Sequence, residues 1–260
     1  MFSSFMVNSW IAASLVAVVA GCIGFFVVAR GATFAAHALP LSAFPGAAGA
    51  TLLGVNQLAG LAVFAMLGVA GISQLARRER HEVATALGLV ALLGLGTLFL
   101  SLTSEYSQSV YALLFGNVLG ISNAELPPLA ISGAVCIAVL LVLFRPLLLT
   151  SVSPDLAASG GINAGLMEVA FLGILALATA IALPLVGALL VFSLLVGPAS
   201  AARAFTRKPP VAMALSVAIA LLTVWVAVAL SYLTNWPIGF FVGGFGTICY
   251  VGGRAAARTA

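Results

Sequence analysis

Long uncharged apolar stretches alternate along the chain with short polar breaks, and many of the stretches approach about 20 residues, the length a helix needs to cross the hydrocarbon core of a bilayer. On that rule helices are predicted at 9–29, 34–54, 57–76, 83–103, 125–149, 166–183, 185–202, 211–233 and 237–253, about nine crossings. Around Pro184 and Val186-Gly187 the pattern reads equally as one broken helix or a tight hairpin, which leaves about eight or ten crossings open. Gly and Pro are scattered through the apolar runs, as helical spans allow, and the alternation of barrel strands is absent. The predicted fold is all-α, a polytopic transmembrane helix bundle forming one domain over residues 1–260.

One polar break stands apart from the others. Residues 150–163 read Thr-Ser-Val-Ser-Pro-Asp-Leu-Ala-Ala-Ser-Gly-Gly-Ile-Asn. Pro154 suits the first turn of a short helix, Ser153 can cap it, Asp155 fits its positive end, and Gly160 with Gly161 can stop it. A short capped helix held outside the bilayer reads as a docking loop.

Composition and charge turn this pattern into a topology. With 63% hydrophobic and 6% charged residues, and a mean hydropathy of +1.25, a soluble fold is excluded, because its surface would need far more charge. Arg30, Arg77, Arg78, Arg80, Arg145, Arg203, Arg207, Lys208, Arg254 and Arg258 all fall on one side of the predicted map. The positive-inside rule makes that side cytoplasmic. The chain is thus expected in the plasma (inner) membrane with its N-terminus outside, its C-terminus inside and the 150–163 loop in the cytoplasm. Glu105 and Glu125 go with the outer segment 103–124, where Tyr106, Tyr111 and Phe115 suit an interfacial or re-entrant element. The net charge of +4 then reports topology; membrane lipid is an expected partner and nucleic acid is not. No cleavable leader is expected, since 10–28 lacks a preceding basic region and is long enough to span.

Candidate chemistry is sparse. Ion-driven carriers usually hold a carboxylate near the bilayer midplane. Here Glu79 and Glu82 fall in the arginine-rich loop, Asp155 in the docking loop, Glu105 and Glu125 outside, and Glu168 in the first turn of its helix. The only lysine, Lys208, precedes two prolines and follows no Gly-rich phosphate loop. The chain is therefore not expected to be an enzyme or to bind a cofactor; energy must come from another subunit. Cys22, Cys136 and Cys249 lie in apolar runs without metal-type spacing and read as packing residues.

His37 is the one imidazole inside an apolar run. It reads either as a packed, hydrogen-bonded histidine or as a pore-lining group or metal ligand. Its helix carries Pro40, Ser42, Pro45 and Gly46, so it is expected to be kinked and to line a pathway, although close packing explains its small residues equally well. Asn56 and Gln57 at its outer end read as interfacial caps. In 186–207, Gly197-Pro198 and Ser200 indicate tight helix contact.

An ordered set of these residues resembles the membrane subunits of ABC importers for zinc, manganese or iron. It runs from Phe5-Met6 through Gly24 and Val27-Val28-Ala29-Arg30, then Leu114-Phe115-Gly116-Asn117, Ile121-Ser122 and Arg145-Pro146-Leu147. It continues with Pro154-Asp155-Leu156-Ala157 and Gly161, Val186-Gly187-Ala188-Leu189-Leu190, and Pro198-Ala199-Ser200-Ala201-Ala202-Arg203, covering nearly the whole chain. The resemblance implies a permease homodimer with its pathway at the two-fold interface, two cytoplasmic ATPase subunits that bind ATP and Mg, and an extracytoplasmic solute-binding protein. It also implies that Ser153, Pro154, Asp155, Leu156, Ala157, Gly160 and Gly161 form the coupling helix that seats in the ATPase. One departure concerns cargo: where that family commonly carries Asp-x-x-x-His before Pro-Gly, this chain has His37 and Leu41, so an anionic ligand is lost. The competing readings are an ion-coupled secondary transporter or channel without ATPase, and a membrane scaffold without transport.

Overall fold

The computed structural model describes residues 4–75, 81–102, 116 and 121–259, and these form eleven helices with no strand among the described residues. In chain order they are α1 (Ser4–Ala29), α2 (Thr33–Leu53), α3 (Gln57–Leu75), α4 (His81–Ser101), α5 (Leu126–Val142), α6 (Phe144–Val152), α7 (Pro154–Ser159), α8 (Ala164–Val186), α9 (Ala188–Phe205), α10 (Pro209–Thr234) and α11 (Ile238–Thr259). A helix therefore occupies each predicted span. By length and apolar composition α1 over Met6–Ala29 and α10 over Pro209–Thr234 are long enough to cross a membrane singly, and α5 with α6 could make a third, bent span. Arg77, Arg78, Arg80, Glu79, Glu105, Tyr106, Tyr111 and Phe115 lie outside the described residues, as does most of the element expected at 103–124.

Two predicted boundaries differ. The span expected at 125–149 is two helices, α5 and α6, bent by 57° at Leu143. Pro146 accounts for the bend: it has no N–H for the Val142 carbonyl four residues back, where α5 ends, and it is tolerated within the first turn of α6. Thr150, Ser151 and Val152 accordingly belong to α6, and the polar loop proper begins at Ser153. At the other uncertain boundary, Gly187 adopts φ +82°, a region that favours glycine, and separates α8 from α9. Phe171 near the start of α8 and Arg203 at the end of α9 both reach the same end of α1. The chain therefore reverses direction at Gly187.

The helices pack in two groups. α1, α9, α10 and α11 pack on one another, α2 packs on α3 and α4, and α8 touches members of both, with α5 laid on α1 and α8. In a membrane the apolar effect does not drive helices together; close backbone approach and interhelical hydrogen bonds do. Both devices are present. A Cβ on Gly46 of α2 would lie 2.6 Å from the Gly60 carbonyl carbon of α3, and one on Gly21 of α1 would lie 2.6 Å from Val217 Cα of α10. Ser216 donates to the Gly21 carbonyl at 2.9 Å, and the Trp225 indole donates to Ser14 Oγ at 2.9 Å, so α10 is tied to α1 at two levels. Cys22 and Cys136 are buried and Cys249 half-buried, all three free thiols, in keeping with packing.

Candidate functional site

The docking loop is built on α6. Thr150 is buried, and Ser153 joins α6 to α7 as a one-residue link, its N–H bonded to the Leu149 carbonyl at 2.9 Å. Pro154 begins α7 and Asp155 sits in its first turn, as the composition predicts. Ser153 does not cap with its side chain; its carbonyl instead takes the Ala157 N–H at 3.1 Å and closes the first turn. The glycine stop is at Gly161, with φ +76°, whereas Gly160 keeps an ordinary φ of −81°. Gly161 and Ile162 donate to the Ala158 and Ala157 carbonyls, which satisfies the end of α7.

α7 rests on the bundle through Ala157, which is fully buried, and presents Pro154, Asp155 and Leu156 outward. Leu156 is 63% exposed and Val152, just before the loop, 74%. Two apolar side chains offered beside one carboxylate form a small surface suited to a protein partner. The chain leaves the loop through Asn163, whose side chain accepts the Leu166 N–H at 3.1 Å and caps α8. This cap was readable from an Asn directly before a long apolar run. α8 starts at Ala164 and not 166, so Glu168 falls just past the first turn, and it is exposed.

Arg30 and Arg203 meet at the same end of the bundle. Arg30 follows α1 and is half-buried: its Nη1 lies 2.9 Å from Thr150 Oγ1, 3.2 Å from Ser151 Oγ and 3.3 Å from the Leu147 carbonyl oxygen, all on α6. Its guanidinium also lies 5.3 Å from the centre of the Phe171 ring. Burial pushes the Arg30 guanidinium below its ordinary value and the Glu168 carboxylate opposes that shift; an arginine stays charged throughout. Arg203 donates to the Val28 carbonyl at 2.9 Å. Arg145, Arg207 and Lys208 are exposed.

The pathway residues separate into two sets. His37 is exposed and sits edge-on to Phe192 of α9, ring centres 5.1 Å apart, where the α2 and α9 groups meet. Leu41, one turn on along the same face, is half-buried. Pro40, Ser42, Pro45 and Gly46 are buried instead. Ser42 Oγ donates to the Leu39 carbonyl at 2.9 Å and faces Gly68 of α3, and Gly46 meets the α3 backbone. Within one chain Ser42, Pro45 and Gly46 pack against α3 and α4, Pro40 is buried beside them, and α2 runs unbroken through both prolines. At the far end of α2, Asn56 Oδ1 accepts the Ala59 N–H at 3.4 Å, a cap on α3. Among the described residues no three or more His, Cys, Asp or Glu side chains gather as a metal-binding group. The carboxylates with placed side chains, Glu125, Asp155 and Glu168, all lie at or near helix ends; Glu125 accepts from the Ser122 N–H and hydroxyl at 2.8 Å.

Residues 2–253 match the family described as the ABC 3 transport family. The chain is similar to the manganese import system permease protein ScaB of Streptococcus parasanguinis, 29% identical over 237 residues, covering 90% of this chain and 84% of that one. It is 30% identical over 204 residues to the high-affinity zinc uptake system membrane protein ZnuB of Haemophilus influenzae, covering 78% of each. Among solved structures, PsaBC from Streptococcus pneumoniae in complex with Fab shares the fold, with a TM-score of 0.88 at 23% identity over 96% of this chain and 90% of that one.

Proposed function

The chain belongs to the ABC 3 transport family, and on that basis we propose that it is the membrane permease of an ATP-driven importer for a divalent transition-metal ion such as zinc, manganese or iron. Separate cytoplasmic ATPase subunits bind ATP and Mg, and an extracytoplasmic solute-binding protein delivers the cargo. The observation that carries this reading is α7: a six-residue helix seated on the bundle by Ala157, with Pro154, Asp155 and Leu156 turned outward. In this reading α7 is the coupling helix, the basic end of the bundle is cytoplasmic by the positive-inside rule, and the chain crosses the membrane about nine times with its N-terminus outside. ATP binding moves the docked ATPases and thereby selects between inward-open and outward-open arrangements.

The cargo face is the one carrying His37 at the meeting of α2 and α9. One chain supplies a single imidazole there, and a homodimer joined along this face brings two. An ion-coupled carrier gains no support from the placed carboxylates, since none lies mid-helix. The experiment is co-purification of the permease with its ATPase from membranes. The wild-type chain should retain the ATPase, whereas Asp155→Lys or deletion of 154–161 should lose it while still inserting; undiminished association in both variants would overturn the coupling-helix assignment.

A further inference from the structure

Arg30 belongs neither to the exposed docking surface nor to the His37 face, yet it links them, by hydrogen bonds to α6 on one side and by a short stretch of chain to His37 on the other. On one side its guanidinium grips α6 through the Thr150 and Ser151 hydroxyls and the Leu147 carbonyl. α6 is joined to α7 by Ser153 alone. On the other side, Gly31 takes φ +67° and Ala32 donates to the Val27 carbonyl at 2.8 Å, so the chain turns tightly from α1 into α2. His37 then follows within the second turn of α2. A second clamp acts on the same helix end: Arg203 of α9 holds the Val28 carbonyl, and α9 also carries Phe192, the ring against His37.

We infer that Arg30 is a positioning residue that couples α7 to the base of α2, so that movement of the docking helix displaces the His37–Phe192 contact. This rests on the reading of α7 as the ATPase docking helix. The acceptors suit the task. Thr150 Oγ1 donates its own proton to the Pro146 and Leu147 carbonyls at 3.0 Å, and Ser151 likewise bonds Leu147, which leaves their lone pairs for the guanidinium. Bonds from a charged donor are about twice as strong as neutral ones. A shift of α6 therefore carries the end of α1 with it more readily than it breaks the junction. The cation–π contact with Phe171 holds the guanidinium from a third helix, α8. A lysine reproduces the charge and a donor nitrogen but not the guanidinium that lies over the Phe171 ring.

The test uses the permease reconstituted in liposomes with its ATPase and solute-binding protein, measuring ATP hydrolysis together with uptake of manganese(II), zinc(II) and iron(II). Arg30→Ala, Arg30→Lys and the double variant Thr150→Val, Ser151→Ala should all still bind the ATPase and hydrolyse ATP. Ions moved per ATP should fall about tenfold in Arg30→Ala, within the range of coupling energies between linked sites. Arg30→Lys should recover membrane yield without recovering that ratio, a split that a purely architectural arginine does not produce. The double variant should show a smaller fall in the same direction, and it carries the test if Arg30→Ala does not assemble. A wild-type ratio in the double variant, or full recovery by lysine, overturns the inference. Failure of the wild-type permease to hold its ATPase overturns the docking reading itself, a separate result visible before any variant is made.

Discussion

The basic end of the bundle and the His37 face carry opposite kinds of information. At the basic end specific polar contacts tie the helix ends together: Arg30 on three α6 acceptors, Arg203 on the Val28 carbonyl, Asn163 on the Leu166 N–H. Around His37 one exposed imidazole leans on Phe192 with Leu41 beside it, and the neighbouring Ser42, Pro45 and Gly46 are turned into α3 and α4. A surface built to receive a motor must be rigid and well satisfied. A surface that passes an ion is left open within one chain. The contrast explains why the drive of this protein can be argued residue by residue while its cargo rests on one side chain and on family membership.

The sharpest way to break that contrast is Leu156→Asp. Leu156 is exposed, so folding should change by less than about 0.5 kcal/mol. ATPase association should nonetheless weaken by at least roughly thirtyfold, the scale of an interface hot spot, measured by titrating detergent-solubilised permease with ATPase. Normal affinity would mean that the outward face of α7 is not the docking surface. Gly46→Ala should act on the other region through packing: its new methyl would meet the Gly60 backbone, which cannot yield like a flexible side chain. A loss of about 3 kcal/mol, read as a lower unfolding midpoint in detergent, is expected; an unchanged midpoint would show that α2 and α3 can separate freely there.

His37→Ala should be gentler on the fold and selective for cargo. Uptake of the transported ion should drop roughly tenfold, the equivalent of about 1.4 kcal/mol, while ATPase association stays intact. Wild-type uptake of manganese(II), zinc(II) and iron(II) would make His37 a packing partner of Phe192 and nothing more. The smallest effect is expected for Asn163→Ala, about 1 kcal/mol from the lost helix cap, seen as a modest shift in thermal stability with uptake preserved. A large uptake defect there would extend the coupling region from α7 into the start of α8.

Much of this architecture was legible in the one-dimensional pattern, because bilayer thickness and the cost of burying charge dictate where helices begin and end. Pro154 and Asp155 opened a helix where a first turn favours them, and the glycine pair closed it. The rest turned on local alternatives that composition does not rank, or on neighbours from elsewhere in the fold. Ser153 was expected to cap by its side chain, but a backbone carbonyl does that work. The bend at Leu143 was within reach of the sequence, since Pro146 follows it, but the polar contacts of the short helix beyond are met by Arg30, more than a hundred residues away in sequence. Pro40, Ser42, Pro45 and Gly46 suited a pathway or a tight crossing equally well by composition, and within one chain Ser42, Pro45 and Gly46 make close contacts with α3 and α4. Phe192, the partner of His37, had no signal of its own in an apolar stretch.

The account stands most directly on ATP-driven uptake. Liposomes holding the permease and its ATPase, supplied with the solute-binding protein outside and ATP inside, would be assayed for accumulation of manganese(II), zinc(II) and iron(II) with and without an imposed proton or sodium gradient. The account predicts accumulation of at least one of these ions that requires hydrolysable ATP, ignores the gradients and disappears when 154–161 are deleted. Accumulation by the permease alone, driven by a gradient and indifferent to that deletion, would contradict it.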